Sequence, residues 1–337
     1  MGLLEARLNI QDLSDCDLII EAVFEDMDVK KDIFRSLDKI AHPKAILASN
    51  TSYLDLNEIA DATSRPEQVV GIHFFSPAYI MRLVEIVRGE KTSNSVIKAV
   101  HIIAKKIDKI RVMVGVCYGF VGNRMLAQRQ REAEKLILEG AMPWDVDRVL
   151  CTFGFPMGPF DMRDLAGLDV SWDREKNTSA TIRDVLNQMG RHGQKTNAGF
   201  YDYDGNRQSK PSSLVEDVIV EFCQKNTLTR RLISDTEILN RCLYSMINEG
   251  ANILMEGIAE KSSDIDVIWI AGYGWPSHTV RPIYWAEQQG LAKVLVGIKE
   301  MNDKFGDDFK PSPLLEEIVR KDGGFKDAMH EFSVAVL

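Results

Sequence analysis

Two apolar runs joined by a short connection occupy residues 69–87: Val69-Val70-Gly71-Ile72-His73-Phe74-Phe75-Ser76-Pro77-Ala78-Tyr79-Ile80-Met81-Arg82-Leu83-Val84-Glu85-Ile86-Val87. Each run predicts a buried strand, and the connection is short enough for the second strand to pair back on the first. That pairing would bring Glu85 alongside His73. A carboxylate that accepts a hydrogen bond from one imidazole nitrogen fixes the tautomer and leaves the other nitrogen free as a base. The pair alone does not exclude a plain strand-end histidine beside a surface carboxylate.

Polar residues also follow the preceding strand and begin a later helix. Residues 45–48 predict a buried strand that stops at the polar loop Ser49-Asn50-Thr51-Ser52, and Gly122-Asn123-Arg124 stands where a helix should begin. Strand ends and helix starts are the places where α/β proteins build their sites. A histidine, a carboxylate and two small hydrogen-bonding side chains are sufficient to move a proton off an alcohol.

The chain up to about Val116 alternates strands and helices, which is typical of a parallel sheet. The first clear strand covers residues 17–23, and residues 28–37 predict a helix with Asp28 as its capping residue. The remainder is helical in pattern, apart from the polar stretch 206–213, which predicts a loop or linker.

The helical part contains an internal repeat. Five motifs recur in the same order, and their offset grows from 117 to 123 residues, as small loop insertions would produce: Asn123-Arg124 with Asn240-Arg241, Leu138-Glu139-Gly140 with Met255-Glu256-Gly257, Asp145-Val146-Asp147 with Asp264-Ile265-Asp266, Phe153-Gly154-Phe155-Pro156 with Tyr273-Gly274-Trp275-Pro276, and Gly167-Leu168 with Gly290-Leu291. We therefore predict two related helical units that pack on each other. The Gly-Phe-Pro and Gly-Trp-Pro turns are interpreted as packing features, and Asn240 as a structural residue.

Composition restricts the class of protein. The chain has 337 residues, and a 45% hydrophobic content is enough for two or three buried cores. A net charge of −9 argues against nucleic-acid binding, which requires a concentrated basic face. The five cysteines are dispersed without a C-x-x-C pair, so they predict free thiols in a reducing compartment. No apolar run approaches the length of a membrane span, and neither terminus carries a recognisable targeting signal, so we expect a cytoplasmic location.

Seven segments together resemble the 3-hydroxyacyl-CoA dehydrogenase family in order and spacing. They are Ala48-Ser49-Asn50-Thr51-Ser52, His73-Phe74-Phe75-Ser76-Pro77, Met81-Arg82-Leu83-Val84-Glu85, Gly119-Phe120-Val121-Gly122-Asn123-Arg124, Met157-Gly158-Pro159-Phe160, Asp164-Leu165-Ala166-Gly167-Leu168-Asp169 and Gly193-Gln194-Lys195-Thr196. Ser76, where single-function members carry asparagine, resembles the branch found in peroxisomal-type multifunctional fatty-acid oxidation enzymes.

The resemblance implies roles for individual residues. His73 would be the catalytic base, Glu85 its orienting partner, and Ser52 and Asn123 the groups that hold the substrate oxygens. NAD is the implied cofactor, and the implied contact residues are Glu25, Lys30, Ser52, Ser76 and Lys195. Nothing in the sequence predicts a metal site.

The implied fold is α/β followed by all-α: an incomplete Rossmann-type parallel sheet and two tandem, related helical domains. The expected domains are a partial NAD-binding domain (1–117), a first helical domain (118–205), a linker and lead-in (206–229), a second helical domain (230–325) and a tail (326–337). Family members open with a glycine-rich turn that receives the cofactor pyrophosphate. Gly2 is the only glycine before Gly71, so we expect an N-terminally truncated domain without that loop.

The implied activity is oxidation of L-3-hydroxyacyl-CoA to 3-ketoacyl-CoA in fatty-acid β-oxidation. The alternative is an inactive truncated paralogue that serves as an acyl-CoA-binding or assembly module. Expected partners are these two acyl-CoA esters, with neither nucleic acid nor a membrane span, and with self-association through the exposed sheet edge or the helical domains.

Overall fold

The computed structural model describes residues 4–170, 172–173 and 178–326. In chain order the helices and strands are β1 (Leu18–Glu21), α1 (Met27–Ile40), β2 (Ile46–Ser49), α2 (Leu56–Ala60), β3 (Val69–Phe74), β4 (Leu83–Val87), α3 (Asn94–Lys106), β5 (Ile110–Val114), α4 (Gly122–Glu139), α5 (Pro143–Phe153), α6 (Pro159–Ala166), α7 (Ile182–Gln188), β6 (Tyr201–Tyr203), β7 (Ser209–Pro211), α8 (Ser213–Lys225), α9 (Asp235–Met255), α10 (Ser262–Tyr273), α11 (Pro282–Gln289), α12 (Leu291–Phe305) and α13 (Pro313–Arg320). The predicted tail lies outside the described residues except for Lys326.

The chain forms two units. Unit 1 consists of the described parts of residues 1–125, 247–296 and 311–337, and unit 2 of the described parts of residues 126–246 and 297–310. The limits of the units fall inside α4, α9 and α12. The domain boundaries expected from the sequence stay predictions.

Unit 1 contains a five-stranded sheet in the order β1-β2-β3-β4-β5. The pairs β1–β2, β2–β3 and β4–β5 are parallel, as predicted, but β3 and β4 are antiparallel. The antiparallel pair confirms the prediction that the second of these strands pairs back on the first. The reason is the short connection at residues 75–82, because a parallel pair needs a crossover of a dozen or more residues.

The strands β2, β3 and β4 are apolar because both faces of the sheet are covered at these positions. Helix α3 covers one face, with its side chains at Val96, Ile97, Val100 and Ala104 in one cluster with strand residues such as Ile72. Ser93 caps the start of this helix with its side-chain oxygen. This packing fixes the positions of the strand ends.

Helix α1 begins one residue earlier than predicted and has a different cap. Asp26, in extended conformation, accepts a hydrogen bond from the backbone N–H of Val29, so Asp26 is the capping residue. Asp28 lies inside the first turn instead. Since both residues are acidic and two positions apart, the pattern alone does not separate a cap from a first-turn carboxylate.

The stretch 206–213 is not only a loop. Residues Ser209–Pro211 form β7, which pairs antiparallel with β6, and α8 begins at Ser213. Tyr201 and Tyr203 of β6 are buried, so this strand is held in place and its free edge accepts the polar segment. Pairing therefore gives an exposed polar segment an extended conformation that its own composition does not favour.

The two sequence repeats fold into corresponding elements. Helices α4, α5 and α6 correspond in order to α9, α10 and α11. Gly154 and Gly274 both end the middle helix in the left-handed conformation, with φ of 118° and 64°. Such a C-cap favours glycine, because a Cβ is strained there. The repeated motifs thus mark equivalent structural positions.

Ion pairs join the two copies of the repeat, of which the first begins with α4, α5 and α6 and the second with α9, α10 and α11. In unit 1, Arg124 Nε lies 2.5 Å from Glu249 Oε1, and Arg124 Nη1 lies 2.6 Å from Glu256 Oε2. In unit 2, Arg241 is fully buried and pairs with Glu132 and Glu139 at 3.0 and 2.8 Å.

These six residues occupy equivalent repeat positions, since Arg124, Glu132 and Glu139 recur as Arg241, Glu249 and Glu256. The arginine of each copy therefore pairs with the two glutamates of the other copy.

No helix in the described ranges is both long enough and apolar enough to cross a membrane.

In each copy a buried aspartate of the second helix bonds the start of the third helix. Asp147 accepts hydrogen bonds from the backbone N–H groups of Phe160 and Asp161, and Asp266 accepts one from Ile283. Burial raises the pKa of Asp147 to about 7, although these N–H groups lower it, and burial raises the pKa of Asp266 to about 6. Both side chains satisfy helix N–H groups that are otherwise left without a partner.

We predict that these aspartates make the fold less stable as the pH rises towards neutrality. The folded-state pKa of Asp147 lies above the usual 3.8, so between about pH 4 and 7 the folded protein holds the extra proton. The stabilisation that this proton gives the folded state is complete below about pH 4, and it is lost as the pH rises through the folded-state pKa. Asp147→Asn should therefore remove this part of the pH dependence. The decrease of the unfolding free energy with rising pH should become less steep, by up to about 1.4 kcal/mol per pH unit.

Urea unfolding followed by circular dichroism across this pH range measures the effect. Asp217→Asn, on the exposed face of α8, is the matched control and should leave the profile unchanged. Parallel profiles for the wild type and Asp147→Asn would contradict the role of the buried carboxylate.

Candidate active site

The predicted site residues of unit 1 follow the strands at one edge of the sheet. Glu25, Ser52 and Ser76 come after β1, β2 and β3, which are parallel neighbours. Their strands therefore end at the same edge. In open α/β sheets, ligands bind outside the carboxyl ends of the strands.

His73 and Glu85 face each other across the antiparallel pair. They are directly opposite in the register of β3 and β4, and His73 Nδ1 lies 2.8 Å from Glu85 Oε2. The predicted pairing is confirmed, and the alternative of a surface carboxylate is wrong because Glu85 is fully buried. An ionised carboxylate only accepts hydrogen bonds, so this contact assigns the proton to Nδ1 and leaves Nε2 as the basic nitrogen.

The second oxygen of Glu85 is also occupied. Glu85 Oε1 accepts a hydrogen bond of 3.0 Å from the backbone N–H of Gly122, the first residue of α4. The N-terminal end of a helix favours a negative charge, so α4 stabilises the buried carboxylate. Glu85 thereby joins the histidine to the helix start that carries Asn123.

Aromatic rings enclose the imidazole of His73. The rings of Phe75 and Phe120 have their centroids 4.8 and 5.7 Å from that of His73, and both phenylalanines are buried. A site that excludes water in this way strengthens the electrostatic interactions within it.

Asn123 contacts two other parts of unit 1 through its amide. Its Nδ2 lies 3.5 Å from the backbone oxygen of Ser52, and its Oδ1 accepts a hydrogen bond of 2.8 Å from the hydroxyl of Tyr273. The structure therefore brings Asn123 and Ser52 together, as the sequence predicts. Their roles towards a substrate stay predictions.

Glu25 organises the loop that carries Ser52. One of its oxygens accepts hydrogen bonds from the hydroxyl of Thr51 and from the backbone N–H groups of Ser52 and Tyr53. Burial acts to raise the pKa of Glu25, but these donors and the charge of Lys30 outweigh burial and hold the pKa below its usual range. Glu25 is thus a carboxylate at neutral pH, with part of its surface exposed at the sheet edge.

Lys30 is enclosed by carboxylates. Its Nζ lies 2.7 Å from Glu21 and 3.3 Å from Glu25, and only 1% of its side chain is exposed. Ser49 donates a further hydrogen bond to Glu21. Burial of a lone ammonium is costly, and the carboxylates of Glu21 and Glu25 offset that cost. This network of contacts also holds Glu25 at the strand end, whereas a direct contact of Lys30 with a cofactor stays a prediction.

The remaining two predicted residues are exposed. Ser76 follows β3 and precedes Pro77. Lys195 belongs to unit 2, where its Nζ lies 2.5 Å from Asp169 Oδ1. Both residues have accessible polar groups, and their contacts with a cofactor stay predictions.

Sequence reasoning missed Tyr273 as a site residue. Tyr273 is the last residue of α10, and the Gly-Trp-Pro turn after it is interpreted from the sequence as a packing feature. The hydroxyl of Tyr273 nevertheless bonds Asn123. A signal was present in the repeat, because the equivalent residue of the first copy is Phe153, which has no hydroxyl.

The strand ends carry polar groups that could hold part of an NAD molecule, and the predicted contacts with its nicotinamide half stay predictions. Glu25, Ser52 and Ser76 offer a carboxylate and two hydroxyls at the edge where such ligands bind. Residues 4–70 contain no glycine, and the start of α1 is acidic, so neither a glycine-rich turn nor an anion-binding helix end occurs there. Within the described ranges, no group of three or more histidine, cysteine, aspartate or glutamate side chains is placed to hold a metal ion.

Family models match nearly the whole chain. The model for "3-hydroxyacyl-CoA dehydrogenase, NAD binding domain" matches residues 1–117. The model for "3-hydroxyacyl-CoA dehydrogenase, C-terminal domain" matches residues 119–203 and again residues 238–328, in agreement with the internal repeat.

Several known proteins are similar over most of the chain. The peroxisomal bifunctional enzymes of Danio rerio and Homo sapiens are both 42% identical, over 95% and 92% of this chain and 48% and 46% of their own lengths. The chain thus spans about half the length of these relatives. The solved structure of the dehydrogenase part of multifunctional enzyme 1 from C. elegans is 35% identical with a TM-score of 0.65, over 92% of this chain and 73% of that one.

The matched models and the identities agree, and the chain belongs to the 3-hydroxyacyl-CoA dehydrogenase family.

Proposed function

We propose that this chain oxidises L-3-hydroxyacyl-CoA to 3-ketoacyl-CoA with NAD⁺, as the dehydrogenase part of a multifunctional enzyme of fatty-acid β-oxidation. The observation that carries the proposal is the buried His73–Glu85 pair, whose carboxylate also bonds the start of the helix that carries Asn123. This arrangement provides a base with a defined tautomer beside a candidate substrate-binding amide.

His73 acts as the general base. Its Nε2 takes the proton of the C3 hydroxyl, and the imidazolium that forms is stabilised by the negative charge of Glu85, 2.8 Å from Nδ1. Bound NAD⁺ supplies the acceptor for the hydride that leaves C3. Phe75 and Phe120 keep water from the imidazole, so the proton moves between His73 and the substrate.

Asn123 and Ser52 position the substrate. The Nδ2 group of Asn123 donates to the thioester carbonyl oxygen, and the hydroxyl of Ser52 binds the oxygen on C3. Glu25 supports this function because it holds the Ser52 backbone N–H in place. Glu25, Ser52 and Ser76 would hold the nicotinamide half of the cofactor, and the buried Lys30 would act through Glu25.

The alternative function is an inactive acyl-CoA-binding or assembly module. It requires no ordered acid–base pair, yet His73 and Glu85 are buried and hydrogen-bonded in a geometry suited to proton transfer. A buried carboxylate is costly to maintain, which favours the enzyme over the module.

Self-association of the chain and its location in the cell are further predictions. β1 is the last strand of the described sheet on its side, and the apolar side chains of Ile20 and Phe24 next to it are 43% and 86% exposed. An exposed strand edge can pair with another chain, so self-association through this edge or the helical domains stays a prediction. A cytoplasmic location also stays a prediction, while the relatives carry peroxisomal and glyoxysomal names.

We predict that His73→Gln lowers turnover by about 10²–10⁴-fold, because the substitution removes the base. The assay follows NADH formation by the purified chain with L-3-hydroxybutyryl-CoA and NAD⁺. His42→Gln, at an exposed position after α1, is the control and should retain wild-type turnover. Absence of turnover in the wild-type chain would count against the proposed function, and near-normal turnover in His73→Gln against the assignment of the base.

We predict a comparable loss, roughly 10²–10⁴-fold in kcat, for Glu85→Gln. The glutamine oxygen can still accept from Gly122, so its amide group then donates to His73 Nδ1 and forces the proton onto Nε2. The histidine would be present but unable to accept the substrate proton. The same assay measures the loss, and a crystal structure of the variant should show His73 in its original place. A variant with wild-type kcat would show that the tautomer is not set by Glu85.

A further inference from the structure

Tyr273 contacts the residue that is proposed to bind the substrate carbonyl. It is the last residue of α10, and its hydroxyl donates a hydrogen bond of 2.8 Å to Asn123 Oδ1. We infer that Tyr273 is a positioning residue that fixes the orientation of the Asn123 amide, so that Nδ2 is presented to the substrate. This inference rests on the proposed function.

An asparagine amide needs such a partner. Its oxygen and nitrogen exchange places when the amide rotates by half a turn, and an oxygen aimed at a carbonyl repels it. The contact of Asn123 Nδ2 with the backbone oxygen of Ser52 is long, at 3.5 Å, and holds the amide weakly. In the flipped orientation Oδ1 would face the backbone oxygen of Ser52, and two acceptors repel each other. The observed orientation instead gives Oδ1 the short bond from the Tyr273 hydroxyl and leaves Nδ2 as the donor.

The ring of Tyr273 is itself held firmly. It stacks on Trp269 at a centroid distance of 4.5 Å, and it meets Phe75 edge-on at 5.4 Å. Phe75 lies two residues after His73 and also contacts the imidazole. Aromatic pairs in these arrangements are favourable, so the hydroxyl has a fixed position.

Two glycines allow α10 to lie close to the start of α4 and to β4. A Cβ at Gly122 would lie 2.7 Å from the Tyr273 ring, and a Cβ at Gly272 would lie 2.5 Å from Leu83 of β4. Both distances are too short for a side chain. Gly122 therefore has two functions, since its N–H also bonds Glu85.

The repeat provides an internal comparison. Phe153 takes the place of Tyr273 in the first copy, where its ring packs 5.9 Å from that of Phe155. A phenylalanine thus suffices for aromatic packing at this position. The hydroxyl is present in the second copy, where it reaches Asn123, the asparagine of the first copy.

A double-mutant cycle tests the inference on the full chain, with Tyr273→Phe, Asn123→Ala and the double variant. Tyr273→Phe should lower kcat about two- to ten-fold, the effect of one neutral hydrogen bond, and change KM less than about two-fold. The pH midpoint of kcat should not move, because the hydroxyl does not ionise in this step. In the Asn123→Ala background, Tyr273→Phe should cause no further loss. Tyr284→Phe, whose ring lies over Arg281, is the matched control and should leave kcat unchanged.

An unchanged kcat in Tyr273→Phe, or the same loss in both backgrounds, would overturn the positioning role. Calorimetric binding of acetoacetyl-CoA to the same four proteins distinguishes this failure from failure of the proposed function. If the wild-type chain binds this ketone without turnover, the proposed function fails, and the cycle of affinities still tests Tyr273. A loss of affinity in Tyr273→Phe that disappears in the Asn123→Ala background supports the inference, and equal affinities or no binding by any of the four overturn it.

Discussion

The buried carboxylate of Glu85 is the interaction on which the site depends. Each of its oxygens has a donor, the imidazole of His73 on one side and the Gly122 N–H at the start of α4 on the other. A charge without exposure to water must be compensated by such partners. The requirement ties β3, β4 and α4 to one geometry, so a shift in any of these elements would leave the carboxylate unpaired and the base without a fixed tautomer.

The repeat explains how distant segments support that geometry. In unit 1, Arg124 of the first copy pairs with Glu249 and Glu256 of the second. Asn123, beside this arginine, receives the hydroxyl of Tyr273 from the second copy. The second copy has no histidine motif of its own, but through these contacts it adds to the site formed by the sheet and the first copy.

Ionisable groups are buried in this structure where they have local hydrogen-bond partners. Asp147 and Asp266 accept hydrogen bonds from the first turns of the equivalent helices α6 and α11, and Lys30 lies between Glu21 and Glu25. Such burial is difficult to predict from the sequence, because a charged residue in an amphipathic helix is usually exposed. Only the positions of the partners reveal that Lys30 holds the strand end in place.

The sequence by itself determined the strands β1 to β4, the repeat and the pairing of His73 with Glu85. These follow from apolar runs, motif order and a connection too short for a crossover, all of which are local properties. Tertiary structure decided the Asp26 cap, the β7 strand at residues 209–211 and the contact of Tyr273 with Asn123. The last two depend on neighbours that the local pattern does not specify, and Tyr273 is 150 residues from its partner. Contacts over such separations form only when the packing of several elements brings the residues together, so no local pattern encodes them.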